Sequence, residues 1–330
     1  MNSAPPASAD SAVRGAAPAL HGLIAIDKPA GVTSHDVAEE VGRRLRSRGP
    51  GHLGTLDPPA TGLLVVMLGA ATRCAPLWQG GEKTYEGTIR LGIVTDTQDT
   101  TGAVIERNPV RAGEEELRAA GAALVGELDQ IPPMVSARRV KGERLYRIAR
   151  RGEVVERAPR RVRVISWEWT EVALPDAGFR VRCTGGTYVR TLAHDLGRSL
   201  GCGAALASLR RLRSEPFGLE RALTLRQLAG LGPEEAWAGH GIPIAEALAG
   251  LPHVCLDDAG AEAVGHGAVA PVADAAAEGA PVRAGPRSVV LRAPDGTPLA
   301  LGELERAPGE PATFRVSPHV VFPWAVRQGR

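Results

Sequence analysis

The sequence predicts an α+β protein: a large domain built on a mixed, mainly antiparallel sheet, followed by a small β-rich C-terminal module. Three observations carry this reading. Strand and helix patterns are interspersed without the regular alternation of a doubly wound fold. Several segments alternate apolar and polar residues with period two, as half-buried strands do. Near residue 250 the composition shifts to Ala, Gly and Pro with short strand candidates. A chain of 330 residues suits two domains of roughly 100 to 200 residues each, here 21–248 and 251–330.

Residues 1–20 are rich in Ala, Pro and Ser and lack an apolar stretch after a basic start. They read as a disordered tail, not a signal peptide. Gly22–Lys28 is a brief apolar run closed by Pro29, the mark of a short buried strand. A helix follows, capped by Thr33 or Ser34, with Val37, Val41 and Leu45 at helical spacing and arginines gathered where the helix dipole favours cations. A loop spans 51–62, and Leu63–Leu68 is a second buried strand. Lys83–Leu91 alternates as a strand, and Glu114–Leu128 reads as a helix. Val162–Val172 and Phe179–Thr184 alternate as strands. Gly185-Gly186 then turns the chain into a helix capped by Thr187, with Val189, Leu192, Leu196 and Leu200 on one face. In the C-terminal module the strands are Ser288–Arg292, Pro298–Glu303 and Thr313–Val316, and Ala/Pro-rich 270–286 reads as a loop.

Hydrophobic residues at 44% and charged residues at 23% are the balance of a globular protein, so a fibrous or wholly disordered chain is excluded. No apolar run is long enough to span a bilayer. Cys74, Cys183, Cys202 and Cys255 form no Cys-x-x-Cys pair and no disulfide framework, which fits a reducing cytoplasm. The histidines have no zinc-ligand spacing, and neither a phosphate-binding loop nor a dinucleotide fingerprint occurs. The expectation is chemistry with no cofactor and no metal. The net charge of +2 hides an asymmetry: residues 138–163 hold eleven Lys/Arg against three Glu, whereas 230–282 holds eight acids and no Lys or Arg. With Arg43, Arg44, Arg46 and Arg48, and with Arg210, Arg211 and Arg213, the basic span suggests a track for a polyanion such as RNA or DNA. Each cluster alone reads as a solvated face.

Asp57 sits in the loop Gly51-His52-Leu53-Gly54-Thr55-Leu56-Asp57-Pro58-Pro59-Ala60-Thr61-Gly62. Three glycines and two prolines specify this backbone path closely, and Pro58 restricts the residue before it. Taken alone, Asp57 reads as an Asx turn or cap, and His52 as an exposed loop histidine. Tyr85 and Tyr188 are two of three tyrosines; a strand tyrosine is commonly core, yet aromatic faces also stack unpaired bases. Arg190 stands in the first turn of its helix, where the dipole disfavours a cation, so it calls for a carboxylate partner.

Eight motifs in order, within about Gly22 to Leu225, resemble the bacterial tRNA pseudouridine synthase B (TruB) family. They include Ile26-Asp27-Lys28-Pro29, the Gly51–Pro58 segment, Lys83-Thr84-Tyr85, Thr95-Asp96-Thr97-Gln98-Asp99, the stretch from Gln130 to Ala137, Lys141-Gly142 with Leu145-Tyr146, Gly185–Thr191, and Leu209-Arg210-Arg211-Leu212. The resemblance implies isomerisation of uridine 55 in the TΨC loop of tRNA to pseudouridine, with no cofactor. It makes Asp57 the catalytic nucleophile, acting at the ribose C1′ or the base, and Arg190 its charge partner. Tyr85 would stack on the uracil, Tyr188 and Leu209 would line its pocket, His52 would hold the everted loop, and Asp99 would support the site. The basic span 138–163 would clasp the T-arm stem-loop, and the C-terminal module resembles a PUA-type RNA-binding domain, although its acidity argues against strong RNA contact there. A cytoplasmic monomer working without guide RNA is expected. The rivals are a guide-dependent rRNA enzyme of the dyskerin group and a non-catalytic RNA-binding protein.

Overall fold

The computed structural model describes residues 20–134, 139–140, 143–144, 151, 153, 155–273, 287–306 and 313–328. Lys141-Gly142, Leu145-Tyr146, part of the basic span, nearly all of the N-terminal tail and most of 270–286 lie outside the described residues. The order is β1 (Gly22–Lys28), α1 (Ser34–Arg44), β2 (Gly51–Leu53), β3 (Thr61–Leu68), α2 (Ala75–Gln79), β4 (Lys83–Leu91), β5 (Ile93–Thr95), β6 (Val104–Arg107), α3 (Glu114–Ala123) and β7 (Gly126–Gln130). Then come β8 (Arg139–Val140), β9 (Glu143–Arg144), β10 (Arg160–Ala173), β11 (Asp176–Cys183), α4 (Val189–Ser199), β12 (Ala204–Ser214), β13 (Phe217–Gly218), β14 (Leu223–Thr224), α5 (Leu225–Gly230), α6 (Pro233–His240), β15 (Gly241–Pro243) and α7 (Ile244–Ala247). The C-terminal part comprises β16 (His253–Cys255), α8 (Asp258–Gly265), β17 (Ala270–Ala273), β18 (Arg287–Arg292), β19 (Pro298–Arg306) and β20 (Thr313–Val321).

The main sheet runs β14-β1-β3-β12-β4-β11-β10-β7, with β2, β13 and β15 attached at its flank. Only β1 with β14 and β12 with β3 pair in parallel; the rest is antiparallel, as the irregular strand order predicted. β1 and β3 lack alternation because both their faces are buried. Ile24, Ile26, Leu64 and Val66 pack under Val37 and Val41 of α1 and its C-cap Leu45, while Leu23, Ala25, Leu63 and Val65 face a second core. β4 and β11 do alternate, because only one face is covered. Tyr85, Ile89, Phe179 and Val181 meet Val189, Leu192 and Leu196 of α4. Burial of such a large apolar side chain contributes about 1.5 to 3 kcal/mol each, which fixes the position of α4 and hence of Arg190 at its start.

The C-terminal strands form their own sheet, β16-β18-β19-β20-β17, with its own core. Val290, Leu301 and Phe322 reach out of it into the second core of the main sheet, so the two parts share an apolar seam that composition did not show. The loops expected at 51–62 and 270–286 each begin with a strand, β2 and β17, and two helix expectations need correction. The helix expected over 114–128 ends at Ala123, and Gly126, at φ +123°, starts β7, whose backbone pairs with β10; tertiary pairing overrides helical periodicity there. The last helix-opening turn is capped differently too: Tyr188 is the N-cap, and Thr187 Oγ1 instead donates back to Thr184 O at 2.8 Å.

Candidate active site

The loop around Asp57 is anchored residue by residue. Leu56 is buried in the core under α4, and its N–H donates to Ser34 Oγ at 2.8 Å while Ser34 Oγ donates to Leu56 O at 2.9 Å. On the far side, Lys28 Nζ donates to the carbonyls of Pro29, Pro58 and Ala60 at 2.9, 3.2 and 2.7 Å. Lys28 is fully buried, and burial lowers its pKa to about 8, against the pull of Asp57. Arg211, also buried, donates from Nη2 to Gly54 O at 3.0 Å and from Nε to Leu63 O at 2.7 Å. Gly62 is required where β3 meets β12: its φ is +95°, and a Cβ there would lie 2.2 Å from Arg211 O. Asp57 is thus held between fixed neighbours rather than by its own contacts alone.

Arg190 finds the carboxylate partner that its place in the helix demanded. Its Nε lies 2.9 Å from Asp57 Oδ2 and its Nη1 lies 3.6 Å from Asp99 Oδ2. Nη1 also donates to Thr97 O at 2.9 Å. The arginine side chain is 5% exposed and that of Asp57 38%, so the pair presents its carboxylate outward from a buried guanidinium. Burial is the largest influence on the Asp57 carboxyl and raises its pKa; Arg190 opposes the rise, Asp99 adds to it and Lys28 opposes it. Asp99 is itself fixed, its Oδ1 accepting from Thr97 Oγ1 at 2.9 Å and from Thr101 N at 3.0 Å.

Asp57 opens on a cavity of about 160 Å³ walled by Tyr85, Tyr188, Arg190, Leu209 and Arg211. Leu209 and Asp57 also border a smaller void beside Asp99. Tyr85 projects from the covered face of β4 and is 7% exposed; burial raises its phenol pKa, and Arg211 opposes that rise. Five of the six expected site residues therefore converge. The sixth, His52, stands on β2 opposite Val66 and is not among the lining residues of either cavity. A larger cavity of about 890 Å³ lies on the open face of the sheet. It is bordered by Glu86, Asp176, Arg180 and Arg210, each ion-paired, and by Glu171.

Sequence reasoning missed three residues here, although all stood inside quoted motifs. Lys28 and Arg211 tie the loop to the sheet. Gln130, 3% exposed, uses both edges of its amide on one residue: Oε1 accepts from Tyr188 N at 2.7 Å and Nε2 donates to Tyr188 O at 3.0 Å. The third arginine cluster is corrected as an RNA track. Arg210 pairs with Asp27 at 2.9 and 2.8 Å, Arg211 is core, and Arg213 pairs with Glu215 and Glu220, because residues along β12 point to different faces.

An outward carboxylate held by a buried arginine, at the mouth of a tyrosine-walled pocket on a mixed sheet, belongs to the pseudouridine synthase class. The fold is similar to a solved Cbf5-Nop10-Gar1 complex at 28% identity and TM-score 0.69, covering 91% of this chain and 84% of that one. It is similar also to an H/ACA ribonucleoprotein bound to a substrate RNA containing 2′-deoxyuridine, at 27% identity and TM-score 0.68, covering 92% and 85%. Residues 43–189 match the N-terminal domain of TruB family pseudouridylate synthases, and residues 190–237 match the tRNA pseudouridylate synthase B C-terminal domain. The chain belongs to the TruB family of pseudouridylate synthases, which are isomerases. Among similar proteins, tRNA pseudouridine synthase B of Opitutus terrae is 51% identical over 64% of this chain and 88% of its own length. That of Aromatoleum aromaticum is 46% identical over 72% and 77%. The two family matches meet between Val189 and Arg190, inside the first turn of α4, yet both halves build one sheet and one pocket.

Proposed function

We propose that the protein isomerises uridine 55 of tRNA to pseudouridine, with Asp57 as nucleophile acting on a base flipped out of the T loop. The observation that carries this reading is the Asp57–Arg190 pair, 2.9 Å apart, at a pocket on the scale of one nucleobase. Turning a base out of its stack costs a few kcal/mol, and stacking on Tyr85 with contacts to Leu209 and Tyr188 offsets it. The Asp57 carboxylate attacks, the C1′–N1 bond breaks with its electron pair going to N1, the uracil turns, and C5 bonds to C1′ as the carboxylate departs; the C5 proton then leaves and N1 takes up a proton, so the product is an isomer of uridine. Arg190 holds the nucleophile in its ionised, outward form. His52 contacts RNA outside the pocket and helps hold the everted loop. The chain needs no cofactor and acts in the cytoplasm as a monomer.

Residues 21–248 form the catalytic domain, 138–163 clasp the T arm, and 251–330 form a PUA-like module. The likeness to H/ACA structures favours a guide-dependent reading, but 41 to 51% identity to tRNA pseudouridine synthase B proteins against 27 to 28% to the H/ACA structures favours direct tRNA recognition. Purified protein with a T-arm stem-loop transcript tests this. Pseudouridine is expected at one site without guide RNA, and Asp57→Asn is expected to abolish it while RNA binding persists. Unchanged turnover in that variant overturns the role of Asp57; a requirement for added guide RNA overturns direct recognition.

A further inference from the structure

The pocket beside Asp57 carries more positive charge than its contents explain. Its lining holds one carboxylate, Asp57, and three cations, Lys83, Arg190 and Arg211. Arg190 is matched to Asp57 and Asp99. Among the described residues, Lys83 and Arg211 are not matched to a carboxylate in this way: Lys83 donates to Gln79 O and Gly81 O, and Arg211 to Gly54 O and Leu63 O, with a further side-chain contact to the Tyr85 phenol. Lys83 is 5% exposed and Arg211 1%. Burying a cation without a counter-charge is costly, and carbonyl dipoles compensate only in part. The two also repel each other: burial first and Arg211 second bring the Lys83 pKa down to about 8.

We propose that Lys83 and Arg211 form a cationic floor that stabilises the uracil as an anion while it is detached from the ribose. The inference rests on the proposed reaction. As an Asp57 oxygen bonds to C1′, the C1′–N1 pair moves to N1 and spreads over O2 and O4 of the base. Asp57 loses its negative charge in the same step by becoming an ester. The positive excess of the lining therefore peaks in the state where the base is anionic, and it falls again when C5 attacks C1′ and the carboxylate is released, after which a proton leaves C5 and one is taken up at N1. This is stabilisation of charge that develops during reaction, by groups fixed before it. Carbonyl ligands on Lys83 and Arg211 hold both in place without neutralising them, which a carboxylate partner would do.

The test compares two substrates in single turnover: a T-arm stem-loop with uridine at the target position, and the same RNA with 5-fluorouridine. Fluorine stabilises the uracil anion by itself, so it substitutes for part of the floor. Arg211→Gln is expected to slow glycosidic-bond cleavage of uridine by about 100-fold and that of 5-fluorouridine by less than about 10-fold, with RNA affinity unchanged. Arg211→Lys, which keeps the charge but not the fork that holds Gly54, is expected to stay within about 10-fold on both. Equal losses on the two substrates in Arg211→Gln assign Arg211 to loop positioning alone and overturn the proposal, as does an undiminished rate. Should Arg211→Gln fail to fold, Lys83→Gln carries the same two-substrate comparison, with a smaller deficit on 5-fluorouridine expected and equal deficits overturning. If the wild-type protein cleaves neither substrate, the proposed reaction itself fails, an outcome distinct from these.

Discussion

The two faces of the central sheet use the same residue types in opposite ways. On the open face of β4 and β11, Arg90, Arg180 and Arg182 pair with Asp176, Glu86 and Glu82, with the arginines 45 to 50% exposed. On the covered side, Lys28, Lys83 and Arg211 are buried and bonded to backbone carbonyls. Exposed pairs contribute about 0 to 1 kcal/mol each and are screened by salt. Buried cations are costly to place, so they persist where they fix a backbone or supply a field. Burial, not charge count, separates the surface from the machinery.

Lys28→Met should break this contrast most. It removes the donor from the buried Ala60 carbonyl and from the part-buried carbonyls of Pro29 and Pro58; a buried carbonyl left unsatisfied costs about 1 to 3 kcal/mol, so stability is expected to fall by about 2 kcal/mol or more and turnover by over about 10-fold, read by thermal unfolding and a pseudouridine assay. Normal turnover would show that the Asp57 loop is held without it.

Gln130→Ala comes next. Freeing Tyr188 at the N-cap of α4 should loosen the approach of Arg190 to Asp57, reducing turnover about 10-fold, the scale of a lost positioning contact, with RNA affinity retained. A change in affinity alone would move Gln130 from positioning to binding.

The pH profile sharpens the comparison further. The proposed reaction needs the Asp57 carboxylate, and burial raises the pKa of that group. Activity should therefore fall on acidification at a pH above the usual carboxylate value of about 3.9. Because Lys28 opposes the rise, the acidic limb should move to higher pH in Lys28→Met; a shift to lower pH would contradict this electrostatic account.

The smallest effect belongs to the open face. Glu86→Ala with Arg180→Ala should change stability by under about 1 kcal/mol and leave turnover unchanged. A large loss would mean that the open face contacts RNA.

Much of the site was legible because its signals are local. Arg190 at a helix start, against the dipole, announced an acidic partner, and α4 delivers it to Asp57 at 2.9 Å. Pro58 restricts the backbone of Asp57, but that residue taken alone reads as an Asx turn or cap, and it was Arg190 and the accompanying motifs that singled it out. Alternation in β4 and β11 announced which faces are covered. His52 was less legible: its neighbours in sequence are site residues, but β2 diverts it to an edge of β3.

The sequence by itself determined the element types, the mixed sheet and the residues from which the pocket is drawn, because periodicity, capping and turn chemistry act over a few residues. Only the tertiary structure decided which cations serve the pocket. Lys28 reaches carbonyls 30 and 32 residues on, and Arg211 reaches back 148 and 157. Spacing in the chain could not tell Arg211 in the floor from Arg210 on the surface, since adjacent strand residues face opposite ways and the register of β12 against β3 and β4 settles which one points in.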